Sequence, residues 1–121
     1  MLNTKRFLSK QHIRHAVEFD AVFKRGKRLP HLCFVTCHLK TDRSYPRLGM
    51  VISKKNCQRA VDRNHIKRLV REQFRAQQHF LLGMDVVVLL KSPVGKLSDK
   101  EQCECVEKLF SQLIAHCSGS S

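Results

Sequence analysis

Ser53-Lys54-Lys55-Asn56-Cys57-Gln58-Arg59-Ala60-Val61-Asp62-Arg63-Asn64-His65-Ile66-Lys67-Arg68-Leu69-Val70-Arg71-Glu72-Gln73-Phe74-Arg75-Ala76-Gln77 is the stretch that sets the reading of this chain. No Gly or Pro interrupts residues 58–77. Ile66, Leu69, Val70, Gln73 and Phe74 recur at intervals of three and four, which predicts one amphipathic helix. At about 100° per residue, Arg63, Lys67, Arg71 and Arg75 form an i+4 ridge, and Asn64 and Arg68 widen it away from the apolar stripe. Like charges so spaced destabilise an isolated helix by about 0.2–0.5 kcal/mol per pair. Only Asp62 and Glu72 are near enough in sequence to offset them. Phosphate compensates well, because arginine grips it bidentately, lysine adds a mobile charge, and counterions released from a polyanion contribute entropy. A plain solvated surface is the competing reading, but such faces usually mix both signs. Asn64 reads equally well as a surface polar group or as a cap of the helix start.

Downstream of this helix, Gly83-Met84-Asp85 breaks the period, and Val86-Val87-Val88-Leu89-Leu90 is a continuous aliphatic run of the kind covered on both faces of a sheet. Ser92-Pro93-Val94-Gly95 then predicts a turn. Ser98 and Glu101 stand in capping-box spacing ahead of Val106, Leu109, Phe110, Leu113 and Ile114, which predicts a closing helix. Ser118-Gly119-Ser120-Ser121 is expected to be a disordered tail beyond a single domain spanning residues 1–117.

Upstream, Leu32–Leu39 and Arg47–Ser53 are rich in β-favouring residues and flank the turn-forming 41–46, which predicts a pair of strands. Residues 10–25 carry Ile13, Ala16, Val17, Phe19, Val22 and Phe23 at helical spacing, with Gly26 where a left-handed cap is expected. The order helix, strands, helix, strand, helix gives an α+β fold, a two-layer α-β sandwich of helices on one sheet.

The 121 residues fit one domain, and 42% apolar content suffices for a single core. Twenty-three Lys and Arg against ten Asp and Glu give a net charge of +13, which points to nucleic acid as partner. The closing helix carries Asp99, Glu101, Glu104 and Glu107 against Lys100 and Lys108, so the excess lies in the earlier segments. The longest aliphatic run is too short to span a bilayer. Met1–Leu8 lacks the apolar stretch of a secretion signal, and the cytoplasm is the expected compartment. The six cysteines show no C-x-x-C knuckle, and reduced structural thiols with no metal site are expected.

Arg63-Asn64-His65-Ile66-Lys67-Arg68-Leu69, with Ser53-Lys54-Lys55 upstream, resembles the Arg-Asn-Arg motif region of the bacterial ribonuclease P protein family. The likeness continues through Phe19-x-x-x-Phe23-x-x-Gly26, Arg47-Leu48-Gly49 and Met84-Asp85-Val86-Val87-Val88. The resemblance implies an α-β sandwich akin to a ribosomal-protein domain, with a left-handed crossover through the motif helix, against the usual right-handed preference. It implies that Lys54, Lys55, Arg59, Arg63, Asn64, His65, Lys67, Arg68 and Arg71 meet a catalytic RNA subunit. By the same resemblance, Phe19, Phe23, Lys24, Phe34 and Ser53 meet the 5′ leader of precursor tRNA in a cleft between the first helix and the sheet.

The implied activity is endonucleolytic removal of that leader, forming the mature tRNA 5′ end. The RNA subunit and its Mg²⁺ would do the chemistry, the protein would hold no cofactor, and one monomeric protein would pair with one RNA. No protein nucleophile or paired carboxylate offers a rival catalyst.

Two departures from the family pattern stand out. His65 occupies the motif's third position, and a histidine, unlike arginine, is mostly neutral at pH 7. Cys37 takes a strand position that can be aromatic in relatives, removing a stacking surface worth about 1–3 kcal/mol per base. Phe19 and Phe23 read on their own more readily as core than as a ligand platform. Three rival functions remain: a structural RNA-binding protein of similar fold, a DNA-binding module using the basic helix, and a protein-only nuclease requiring clustered acidic ligands around a residue such as Asp85.

Overall fold

Covering both faces and both edges of Val86–Leu90 decides the architecture. The computed structural model describes residues 9–95 and 97–119, so the readings on Met1–Leu8 and on Ser120-Ser121 fall outside the described residues. A 3-10 turn, Ser9–Gln11, leads to helix α1 (Ala16–Arg25), strands β1 (Lys27–His31), β2 (Phe34–Lys40) and β3 (Arg47–Val51), and helix α2 (Ala60–Gln77). A second 3-10 turn, Gln78–Phe80, precedes β4 (Met84–Leu90) and helix α3 (Asp99–Gly119). Helix α3 therefore continues through Ser118 and Gly119, two positions into the segment expected as a tail.

The sheet order is β1-β2-β4-β3. The apolar β4 occupies the centre, antiparallel to β2 with Phe34 opposite Leu90 and Lys40 opposite Met84. It runs parallel to β3, with Arg47 opposite Asp85 and Val51 opposite Leu89. The expected direct pairing of the two upstream strands is thus corrected, because β4 lies between them. A strand sheathed on both faces gains most in the middle. Neighbouring strands lie about 4.8 Å apart, so the 41–46 connection crosses two strand spacings easily. The adjacent parallel strands β3 and β4 are joined through α2.

Strand β1 was not legible as a strand. Lys27-Arg28-Leu29-Pro30-His31 has little apolar alternation, and its proline is tolerated because β1 is an edge.

The first helix starts later than its periodicity predicts. His12 bridges Leu48 in parallel, and the Ile13 N–H donates to the Leu48 carbonyl at 2.9 Å, so this segment covers the outer edge of β3. Glu18 then fixes the true start, its carboxylate accepting from the N–H groups of Arg14 and His15. Gly26 is not a left-handed cap either, since its φ is −86°. A Cβ there would lie 2.5 Å from the carbonyl oxygens of both Val22 and His38, so close approach excludes a side chain. Gly83 does need positive φ, at 77°, where the chain enters β4. The α3 capping box forms as its spacing predicts, Glu101 donating its N–H to Ser98 Oγ and accepting from the Ser98 N–H.

The strand alternation separates two cores. Phe34, Leu48, Val86, Val88 and Leu90 face α2 and α3, where Phe74, Val70, Phe110 and Leu113 are fully buried against them. Val35, Cys37 and Val87 face α1 and bury Val22 and Ile13, with Phe19 and Phe23 half-buried at the margin.

Candidate nucleic-acid interface

The loop between β3 and α2 is folded onto the sheet end before it presents any charge. The Ser53 carbonyl accepts from the N–H groups of Asn56 and Cys57, a turn at the exit of β3. Asn56 Nδ2 donates to the Leu90 carbonyl at 2.9 Å, tying the loop to the end of β4. Arg63 Nη1 reaches back to the carbonyls of Cys57 at 3.0 Å and Gln58 at 2.8 Å. Arg63 therefore holds the loop against α2 as well as carrying charge. With the turn so fixed, Lys54, Lys55 and Arg59 stand exposed, Arg59 near Asp62 at 3.7 Å, while Ser53 is half-buried.

On α2, Ile66, Val70 and Phe74 point into the core and Asn64, Arg68 and Arg75 into solvent. Lys67 and Arg71 are half-buried along the flank, the Arg71 charge lying close enough to His12 to help lower its pKa, behind the larger effects of burial and Arg14. The i+4 ridge accordingly runs from a half-buried Arg63 to an exposed Arg75, with Asn64 and Arg68 exposed beside it. His65, which the resemblance implies as an RNA contact, lies off this ridge. It turns toward α3, with Nε2 buried and 3.9 Å from Asp99 Oδ1, and so sits at the junction of the two helices.

The leader-cleft residues divide. Phe19 lies against β3 at Gly49, where a Cβ would come within 2.7 Å of its ring, so glycine is what lets the aromatic ring settle on the strand. Phe23 packs beside it, the ring centroids 6.2 Å apart, and Lys24 is exposed next to them. Phe34 does not join them. It is fully buried on the opposite face of the sheet, in the core against α2 and α3, so its placement among leader contacts is corrected: strand alternation turns position 34 away from α1 and position 35 toward it.

Sequence reasoning missed the polar tie beneath α1. Arg47 donates from Nε to Asp85 Oδ1 at 2.9 Å, from Nη2 to Asp85 Oδ2 at 2.7 Å, and from Nη1 to Glu18 Oε2 at 2.7 Å. Arg43 adds a longer contact to Asp85 at 3.5 Å. Arg47 and Asp85 are buried, and the Arg47 hydrogen bond holds the Glu18 carboxyl below its usual range. These bonds lock α1 to β3 and β4 and so place Phe19 and Phe23. The register Arg47↔Asp85 alone would have revealed the pair, but it depends on the parallel pairing that the sequence hides.

Among the described residues, no group of three His, Cys, Asp or Glu side chains could hold a metal ion, and no helix is long and apolar enough to cross a membrane. All six cysteines are free thiols, and burial raises the pKa of Cys37, Cys57 and Cys105.

A four-stranded mixed sheet with a charged crossover helix and a half-open aromatic margin defines a small basic α-β sandwich protein. The family model for ribonuclease P matches residues 7–114. Among curated relatives, the ribonuclease P protein component of Nitrosococcus oceani is 41% identical over 103 residues, covering 85% of this chain and 87% of that protein. That of Escherichia coli O157:H7 is 47% identical over 100 residues, covering 83% and 82%. The Staphylococcus aureus RNase P protein superposes with a TM-score of 0.77 at 26% identity, over 85% of this chain and 94% of that one. The Thermotoga maritima protein does so with a TM-score of 0.67 at 31% identity, over 84% and 96%. The chain belongs to the ribonuclease P protein family, whose members are the protein component of the enzyme of tRNA 5′ processing.

Proposed function

We propose that this chain is the protein subunit of a ribonuclease P particle, binding the catalytic RNA and the 5′ leader of precursor tRNA. The observation that carries this reading is the division of labour on α2: one face is sealed into the core, while the other, with the loop before it, presents Lys54, Lys55, Arg59, Asn64 and Arg68, flanked by the half-buried Arg71, around a fold stabilised from beneath. Such a face suits the phosphates of a folded RNA, which would neutralise its mutual repulsion. Arg63 and Lys67 complete it from the flank, Arg63 serving chiefly to hold the loop. His65, turned to Asp99, stands outside it.

The half-exposed rings of Phe19 and Phe23, with Lys24 and Ser53, offer stacking faces and a backbone contact for a single strand. Phosphodiester hydrolysis belongs to the RNA subunit with its Mg²⁺, and the protein contributes charge neutralisation and a preference for leader-bearing substrate. One protein per RNA, in the cytoplasm, is the assembly this reading entails.

The test is cleavage of 5′-labelled precursor tRNA by a bacterial ribonuclease P RNA at low Mg²⁺, with the protein, without it, and with an Arg68→Ala, Lys54→Ala variant. Stimulation by the parent and its loss in the variant, at unchanged thermal stability, is the expected result. RNA binding without stimulation, even with the cognate RNA, would reduce the protein to a general RNA binder.

A further inference from the structure

The Met84 end of the sheet, opposite the end that carries Asn56 and Ser53, holds a groove of about 450 Å³ that nothing in the proposed function uses. Its volume lies within the range of about 300–1,000 Å³ typical of small-molecule sites. Arg25, Lys27 and Lys40 line it, and no acidic residue does. Its apolar wall includes Phe80, 55% exposed, and Leu82, 61% exposed. A single exposed apolar side chain needs no explanation, but two together beside three cations do. The Phe80 ring is braced by His79, at a centroid separation of 4.1 Å, so it is presented as a platform.

At the floor of the groove, His38 is 5% exposed, its Nδ1 buried without a hydrogen-bond partner, and its ring meets His116 of α3 edge-on at 5.2 Å. Arg25, Leu39 and Lys40 also line a second hollow of about 560 Å³ that leads around to the Arg47–Asp85 tie beneath α1. Glu18, Asp42 and Asp85 line that second hollow as well, so the acid-free stretch is the first groove.

We propose that this groove is a binding site for an unpaired nucleotide, its base stacked on Phe80 against Leu82 and its phosphate held by Lys27, Lys40 and Arg25. Charge complementarity selects the occupant: three cations and no acid require an anion, and a flat exposed ring beside them requires a planar apolar group attached to it. A nucleotide supplies both within one residue's length. The site lies apart from Lys54–Arg71 and does not depend on which RNA that surface holds.

The experiment is a titration of the full-length, ¹⁵N-labelled protein with adenosine 5′-monophosphate, and separately with ribose 5-phosphate. The expected result is saturable amide shifts at Lys27, Lys40, Phe80 and Leu82, with affinity lost about 5- to 150-fold when the base is removed or in Phe80→Ala. Phe80 is exposed enough for that variant to keep its fold, which its remaining amide resonances report. Arg68→Ala should leave these shifts unchanged. Equal affinity for the two compounds, or shifts confined to Lys54–Arg71, would overturn the proposal. So would shifts at these residues from an acidic, leucine-rich peptide but none from the nucleotide, which would make the groove a protein contact. Because no RNA subunit is present, failure here leaves the cleavage test untouched.

Discussion

The two faces of the sheet are held by different physics. Toward α2 and α3 the packing is apolar and closed, with Phe34, Phe74 and Phe110 all fully buried. Toward α1 the buried apolar set is small, Ile13, Val22, Val35, Cys37 and Val87, and the helix is instead moored by Arg47 between Asp85 and Glu18. The interior of the first face is closed, and the groove at the Met84 end lies at its margin. The second keeps Phe19 and Phe23 half-exposed because a directional polar tie, unlike an apolar contact, can hold a helix at one edge without closing the other. A closed apolar core and a half-open aromatic margin thus fall on opposite sides of one sheet.

The largest effect is expected from a core truncation. Phe74→Ala should cost about 3–5 kcal/mol in urea unfolding, a full aromatic deletion in packed surroundings. Phe23→Ala should cost well under half of that while weakening any leader contact; equal losses would mean that α1 packs as tightly as α2.

Asp85→Ala should come next, at about 3 kcal/mol, because it leaves the buried Arg47 without its bidentate partner. A loss near zero would show the tie to be dispensable.

Gly49→Ala should cost about 1–3 kcal/mol by displacing the Phe19 ring, which a methyl would meet at 2.7 Å. Its sharper signature is a changed Phe19 environment by NMR with the α2 core unmoved.

The smallest effect is in pH. Burial, followed by the charges of His116 and Lys27, lowers the His38 pKa below that of an ordinary imidazole. The folded state then binds fewer protons than the unfolded one, so this contribution is complete above the unfolded value and is lost as pH falls through it. Glu18 is the opposite titration type with the same direction of slope: its lowered pKa gives stability present above the ordinary carboxyl range and lost as pH falls through the folded value. Stability should therefore fall in two steps on acidification, and His38→Gln should reduce only the upper one, to which His12 also contributes.

What could be read from the sequence followed from local pattern. Helix α2 declared itself through period and unbroken length, β4 through its continuous aliphatic run, and the start of α3 through Ser98 and Glu101. What could not be read was set by contacts distant in sequence. Strand β1 is strand-like only because β2 pairs with it, and Ile13 is buried outside a helix because β3 has an open edge. Arg47 and Asp85 meet only once β4 has inserted beside β3. The candidate interface shows the same split: the charge of Lys54 to Arg71 was plain, but the inward turn of His65 to Asp99, the tethering role of Arg63 and the burial of Phe34 all depend on which way a side chain faces in the finished packing.

The central position of β4 also has a consequence for biosynthesis. Strands β2 and β3 leave the ribosome before the strand that joins them, so for the time it takes to make residues 52–90 each presents an unpaired edge toward a neighbour that does not yet exist. A nascent chain arrested before Met84 has no closed sheet to fold into. The order of synthesis thus makes the last strand the step that commits the whole domain.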